Sequence, residues 1–202
     1  MYLGVWAVAA IGPFDRGDWL LENVLVFAVV AGLVLAHRRF VFSNFSYLLI
    51  FVFAVLHAIG AHYTYSETPI GFWVQDALGL ARNHYDRFVH FTSGLLLAYP
   101  LRELIRRRLH LRGAAAYAMP VVLLLSISAA YEIAEYQAAR IVDPDLGIAF
   151  LGTQGDEWDS QKDMVLASLG AVAAMIATWI WRTRTQREPW GILAFGSPGL
   201  HE

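Results

Sequence analysis

Long apolar runs separated by short charged clusters dominate the chain from its first residues to about position 185. A helical membrane span needs roughly 20 largely apolar residues. The runs near 2–12, 19–36, 45–63, 86–106, 114–138 and 161–182 are therefore read as helices, six spans in all. The first, "YLGVWAVAAIG", is short, which suits a tilted or partial helix or a chain start set too late. Between the third and fourth runs, "PIGFWVQDALGLAR" alternates Phe72, Trp73, Leu78 and Leu80 with polar groups. It is too short and too polar to cross, and predicts a helix lying at headgroup level. The pattern thus predicts an all-α fold: a polytopic helix bundle of about six transmembrane helices plus a short interfacial helix. Residues 1–185 form a single transmembrane domain and 186–202 a cytoplasmic tail.

Composition agrees with the pattern. Of 202 residues 57% are hydrophobic and only 16% charged, against about 25% charged in ordinary soluble domains, and mean hydropathy is +0.47. No basic tract points to nucleic acid, and a net charge of −2 adds little. With no cysteine, disulfides, thiolate metal sites and cysteine nucleophiles are excluded. No cleavable signal peptide is evident.

Loop charge orients the bundle. The 2–3 and 4–5 connections and the C-terminus carry ten basic residues, among them Arg38, Arg39, Arg102, Arg106, Arg107, Arg108 and Arg182, against three acids, Glu103, Glu188 and Glu202. The opposite side has five basic residues and fourteen acids. Positive residues favour the cytoplasm, so both termini are expected there, in a bacterial inner membrane.

The unusual polar residues fall on the outward half. The third span ends with His57, His62, Tyr63 and Tyr65; the fourth opens on "HYDRFVH"; the fifth ends with Glu132 and Glu135; the sixth opens after Asp156 with Asp159 and Asp163. Asp86 and His90, four apart, share a helix face, as do Glu132 and Glu135, three apart, and Asp159 and Asp163. Ionisable side chains within spans face a bundle interior or a wet cavity, so one polar chamber is expected. Asp86 and Asp159 also have a simple alternative as helix N-terminal acids, and His62 and His84 as interfacial anchors. Glu132 lies too deep for capping, and has to be protonated, paired with Arg87 or bound to a cation. Tyr63, Tyr65, Tyr85 and Trp158 are expected at the chamber rim, where aromatic belts sit.

The segments "PFDRGDWLLEN", "HAIGAHYTYSETP", "YDRFVHF", "YEIAEYQAA" and "GTQGDEWDSQKDM" together resemble the uncharacterised bacterial inner-membrane family typified by YjdF, over almost the whole chain. More loosely, "DRFVHF", "YEIAE" and "DMVLASLG" resemble the VanZ-like membrane proteins. Asp86, Arg87, His90, Glu132 and Asp163 stand in the matching places, with Glu135 where the glutamine of that pattern would be and Ala167 where its asparagine would be.

Carboxylates with histidine suit a divalent metal such as zinc, manganese or iron, with His57, His62, Asp86, His90, Glu132, Asp159 and Asp163 as the pool of ligands. The leading expectation is a metal-assisted enzyme acting on a lipid or polyprenyl-linked substrate at the outer leaflet, with Asp86, His90, Glu132, Glu135 and Asp163 catalytic. Arg87, Tyr63, Arg140 and Lys162 would then bind substrate. The alternatives are a lipid-headgroup or ion binding or transport protein without chemistry, and a structural charge network. No pattern here fixes an oligomeric state.

Overall fold

The computed structural model describes residues 2–188; Met1 and most of the expected tail, 189–202, lie outside the described residues. Among the described residues there are α-helices and one 3-10 turn, and no strand. In chain order the helices are α1 (Tyr2–Ala9), α2 (Arg16–His37), α3 (Asn44–His62), α4 (Pro69–Leu78), α5 (Tyr85–Arg108), α6 (Ala115–Ile141), α7 (Pro144–Leu151) and α8 (Asp159–Thr185), with the 3-10 turn Tyr65–Glu67 between α3 and α4.

Four of these, α2, α3, α6 and α8, are long and apolar enough to cross a membrane. The eight residues of α1 rise only about 12 Å, less than half the hydrocarbon thickness. It packs against α3 instead, with the Trp6 indole donating to Asn23 Oδ1 of α2 at 2.6 Å. The 24 residues of α5 are long enough, but they include Asp86, Arg87, Arg102, Glu103 and three consecutive arginines. Its position explains that polarity. α5 packs against α3, α6 and α8, so Arg102 and Glu103 are buried against protein, while Arg108 at its end is exposed; the helix at the centre is the most polar one.

α5 and α8 meet almost backbone to backbone. A methyl group added at Gly94 would overlap the Ala167 carbonyl, and one at Gly170 would overlap the Phe91 carbonyl. Only glycine allows this approach. Toward one end the seam is filled by Ala98, Leu124, Ala171, Ala174 and Met175.

The interfacial helix expected after α3 is α4, capped by Gly79 in the left-handed region, with Trp73 and Leu78 exposed. A second short helix, α7, was not expected. Asp143 caps its start, Pro144 occupies its first turn and Gly152 ends it, a combination of start and stop signals that "DPDLGIAFLG" does carry.

Candidate metal centre

Side chains from three helices meet at the start of α5. Asp86 and His90 project one turn apart, with Asp86 Oδ1 3.5 Å from His90 Nε2. Glu132 of α6 approaches the same imidazole nitrogen at 3.7 Å. Asp163, one turn into α8, completes the group: one ligand atom each from Asp86, His90 and Asp163 lie within 4.8 Å of one another. Asp163 is 2% and Glu132 9% exposed. One oxygen of each, Asp163 Oδ1 and Glu132 Oε1, is buried without a hydrogen-bond partner. Two ligands about 2.0–2.2 Å from a shared ion stand about 3–4.4 Å apart, so the Asp86–His90 spacing is that of a ligand pair. Oxygen and nitrogen donors without thiolate fit zinc, manganese or iron.

The cluster extends beyond the residues singled out from the sequence. Glu22 of α2 is buried and accepts a hydrogen bond from the Tyr131 hydroxyl at 2.9 Å. Tyr131 stacks edge-on against His90 with ring centroids 6.1 Å apart. Glu22 and Glu135 lie close enough to Asp86 to interact with its charge. Asp18, one turn before Glu22, is also buried. The four-residue spacing of Asp18 and Glu22 is the signal that could have found them, being the spacing of Asp86 and His90.

Other candidate residues stand elsewhere. Arg87 does not pair with Glu132. Its guanidinium contacts Asp156 and donates to Asp159 Oδ1 at 2.9 Å. Arg82 donates to the same Asp159 oxygen at 2.7 Å and to the carbonyls of Thr153 and Gly152. Asp159, a candidate ligand by sequence, is thus occupied by two arginines. Asp156 also accepts from Lys162 at 2.5 Å and from the Trp158 backbone. The Lys162 hydrogen bond first, then the Trp158 amide and Arg87, hold the Asp156 carboxyl well below the usual carboxylate range. Asn83 and Gln154 exchange two hydrogen bonds, Asn83 N to Gln154 Oε1 at 3.1 Å and Gln154 Nε2 to the Asn83 carbonyl at 2.9 Å. The loops before α5 and α8 are therefore stitched together above the acids.

The α3 residues mostly hold helices. His62 Nδ1 bonds the Ala9 carbonyl at 2.9 Å, tying α1 to α3, and stands outside the acid group. Tyr63 caps α3 through its backbone N–H. His57 is buried with Nδ1 2.5 Å from the Tyr65 hydroxyl, while its Nε2 has no partner. Left-handed Thr64 and Tyr65 turn the chain back so that the Tyr65 ring lies on Gly60. Tyr65 and Tyr85 are consequently buried rather than at a rim, Tyr85 donating to the Leu56 carbonyl at 2.8 Å. Trp158 alone of the expected belt is exposed, at 62%. Arg140 sits exposed near the end of α6, bonded to Tyr136 of its own helix.

The model of a family described as predicted membrane proteins, DUF2238, matches residues 1–184. This chain belongs to that family. The inner membrane protein YjdF of Escherichia coli (strain K12) is 42% identical over 167 residues, covering 82% of this chain and 79% of the relative. No solved structure matches the chain. The chain is thus a YjdF-like membrane protein, and its acid–histidine group lies within the part the family model covers.

Proposed function

We propose that the protein is a multi-pass inner-membrane enzyme whose Asp86, His90 and Asp163 hold a divalent cation, with Glu132 beside it as the general base. The substrate is a lipid or polyprenyl-linked compound presented at the outer leaflet. Five helices, α2, α3, α5, α6 and α8, cross the membrane with their more basic ends toward the cytoplasm, following the excess of basic residues on that side. The observation that carries the reading is the convergence of three ligand atoms within 4.8 Å, beside buried carboxylate oxygens that lack any other partner. Lone charges at mid-bilayer cost at least roughly 2.5–3.5 kcal/mol each. Unpaired acids gathered at one point are stable only with shared protons or a cation.

A bound divalent ion would polarise an ester or phosphoryl oxygen and lower the pKa of a coordinated water. Glu132, 3.7 Å from His90, is placed to accept a proton from a water or hydroxyl at that point. Asp86 and Glu132 both approach His90 at Nε2, the nitrogen that would face the ion. A second reading, ion or proton binding without chemistry, is favoured by Glu22 and Glu135, acids beyond those one ion needs.

Metal content of protein supplied with zinc, manganese and iron and then washed tests the site. About one ion per chain is expected in the wild type, with near-complete loss in His90→Ala and Asp163→Asn. Free ion at a hundred times Kd should raise wild-type stability by about 2.7 kcal/mol. A wild type that holds no ion and gains no stability overturns the metal centre.

A further inference from the structure

On the opposite flank of the α5–α8 seam from the acids runs a groove of about 700 Å³. Its walls are Phe88 and Phe91 of α5 and Val165 and Leu166 of α8; Arg87 and Lys162 stand at its outer end, with His84 beside them. From residue 84 to 91 the groove descends about 10 Å along α5, the upper part of a leaflet whose hydrocarbon is about 15 Å deep. Phe88 and Val165 are exposed, so the groove opens away from the bundle.

We propose that this groove binds one anionic glycerophospholipid, its phosphate at Arg87 and Lys162 and the upper part of one acyl chain against Phe88, Phe91, Val165 and Leu166. Charge complementarity selects that occupant over a neutral lipid or a peptide. Arg87 and Lys162 line the outer end of the groove and no carboxylate does, both cations also pairing with Asp156 beside it. Lys162 is half exposed and reaches Asp156 from outside, so it can turn to a phosphate without uncovering a buried group. Charge-assisted hydrogen bonds from arginine and lysine are the strong ones for phosphate. His84 Nδ1 stands 3.3 Å from Arg87 Nη1 at the same end of the groove. Identifying this lipid as the substrate class rests on the function proposed above; the docking itself does not.

Native mass spectrometry of the full chain, offered phosphatidylglycerol and phosphatidylcholine with identical acyl chains in equal amounts, reads the site directly. Several-fold preferential retention of phosphatidylglycerol is expected in the wild type. Lys162→Glu should reduce the ratio to about one, and Val165→Trp, at an exposed wall position, should cut retention of both lipids. Equal retention by the wild type, or an unchanged preference in Lys162→Glu, overturns the proposal. Metal content measured on the same preparations separates the two readings. Preference for phosphatidylglycerol without bound metal sinks the proposed chemistry and leaves the groove; bound metal without lipid preference does the reverse.

Discussion

The two ends of α5 treat buried carboxylates in opposite ways. Near its C-terminal end Glu103 is 0% exposed and fully engaged. It accepts from the Ser43 amide at 2.9 Å, the Ser43 hydroxyl at 2.8 Å, the Ser46 hydroxyl at 2.5 Å and Arg107 at 2.5 Å. Arg102 beside it, equally buried, donates to Glu188 at 2.8 Å and packs on the Tyr117 ring at 4.5 Å. At the N-terminal end Asp86, Glu132 and Asp163 crowd one imidazole, two of them with an oxygen left unpartnered. This fold therefore can satisfy a buried acid completely where the acid only holds helices together. Incomplete satisfaction at the other end is a property of that site, and it is the condition under which a ligand gains most by binding.

The comparison breaks most easily at Glu103. Glu103→Ala leaves Arg107 and two serines facing a void, and a loss of about 3–5 kcal/mol is expected. Asp163→Asn in metal-free protein replaces a carboxyl whose Oδ1 has no hydrogen-bond partner and should be neutral or stabilising by about 1 kcal/mol. Thermal unfolding of both variants in the same detergent compares them. Equal losses would erase the contrast between the two ends.

A smaller effect sharpens the boundary of the site. Tyr65→Phe deletes the hydroxyl bonded to His57 and is expected to cost about 1 kcal/mol with metal content unchanged. Metal loss in that variant would draw His57 into the ligand set.

The smallest effect concerns the ion network above the acids. Asp156 is held below its ordinary range by Lys162, the Trp158 amide and Arg87. Its contribution is therefore present above the unfolded carboxylate value of roughly 3.9, and is lost as pH falls from there through the lower folded value. A melting series from pH 7 to 3 should show a steeper acid decline for the wild type than for Asp156→Asn; parallel curves would mean that the network adds nothing to stability.

Much of the architecture was legible because apolar run length reports it directly. α3 and α8 fall within about a turn of the expected ranges, and α4 follows from the alternation around Phe72 and Trp73. The site was legible where helical spacing carries the information: Asp86 and His90 share a face because they are four apart, and they meet at 3.5 Å. Pairing across helices was not legible. The sequence offers Arg87 to Glu132 and to Asp156 alike, and only the packing of α5 on α8 decides for Asp156 and Asp159. Tyr65 and Tyr85 look like belt residues until left-handed Thr64 turns the chain inward. Glu22 sits in an otherwise apolar span, where its four-residue spacing from Asp18 is a faint signal, and the Tyr131 hydroxyl ties it to the cluster.

The contact at Gly94 and Gly170 bears on which ions the centre would admit. Asp86 and His90 ride on α5 and Asp163 on α8, and the two backbones touch with no side chain between them to compress or rotate. The gap between the two sets of donors is consequently fixed by main-chain geometry rather than by flexible side-chain packing. An ion too small for that gap cannot draw the helices closer, and one too large cannot spread them without moving the seam. Selection among divalent ions by radius, commonly a matter of ligand number and flexibility, would here be set by two glycines one to two helical turns below the donors.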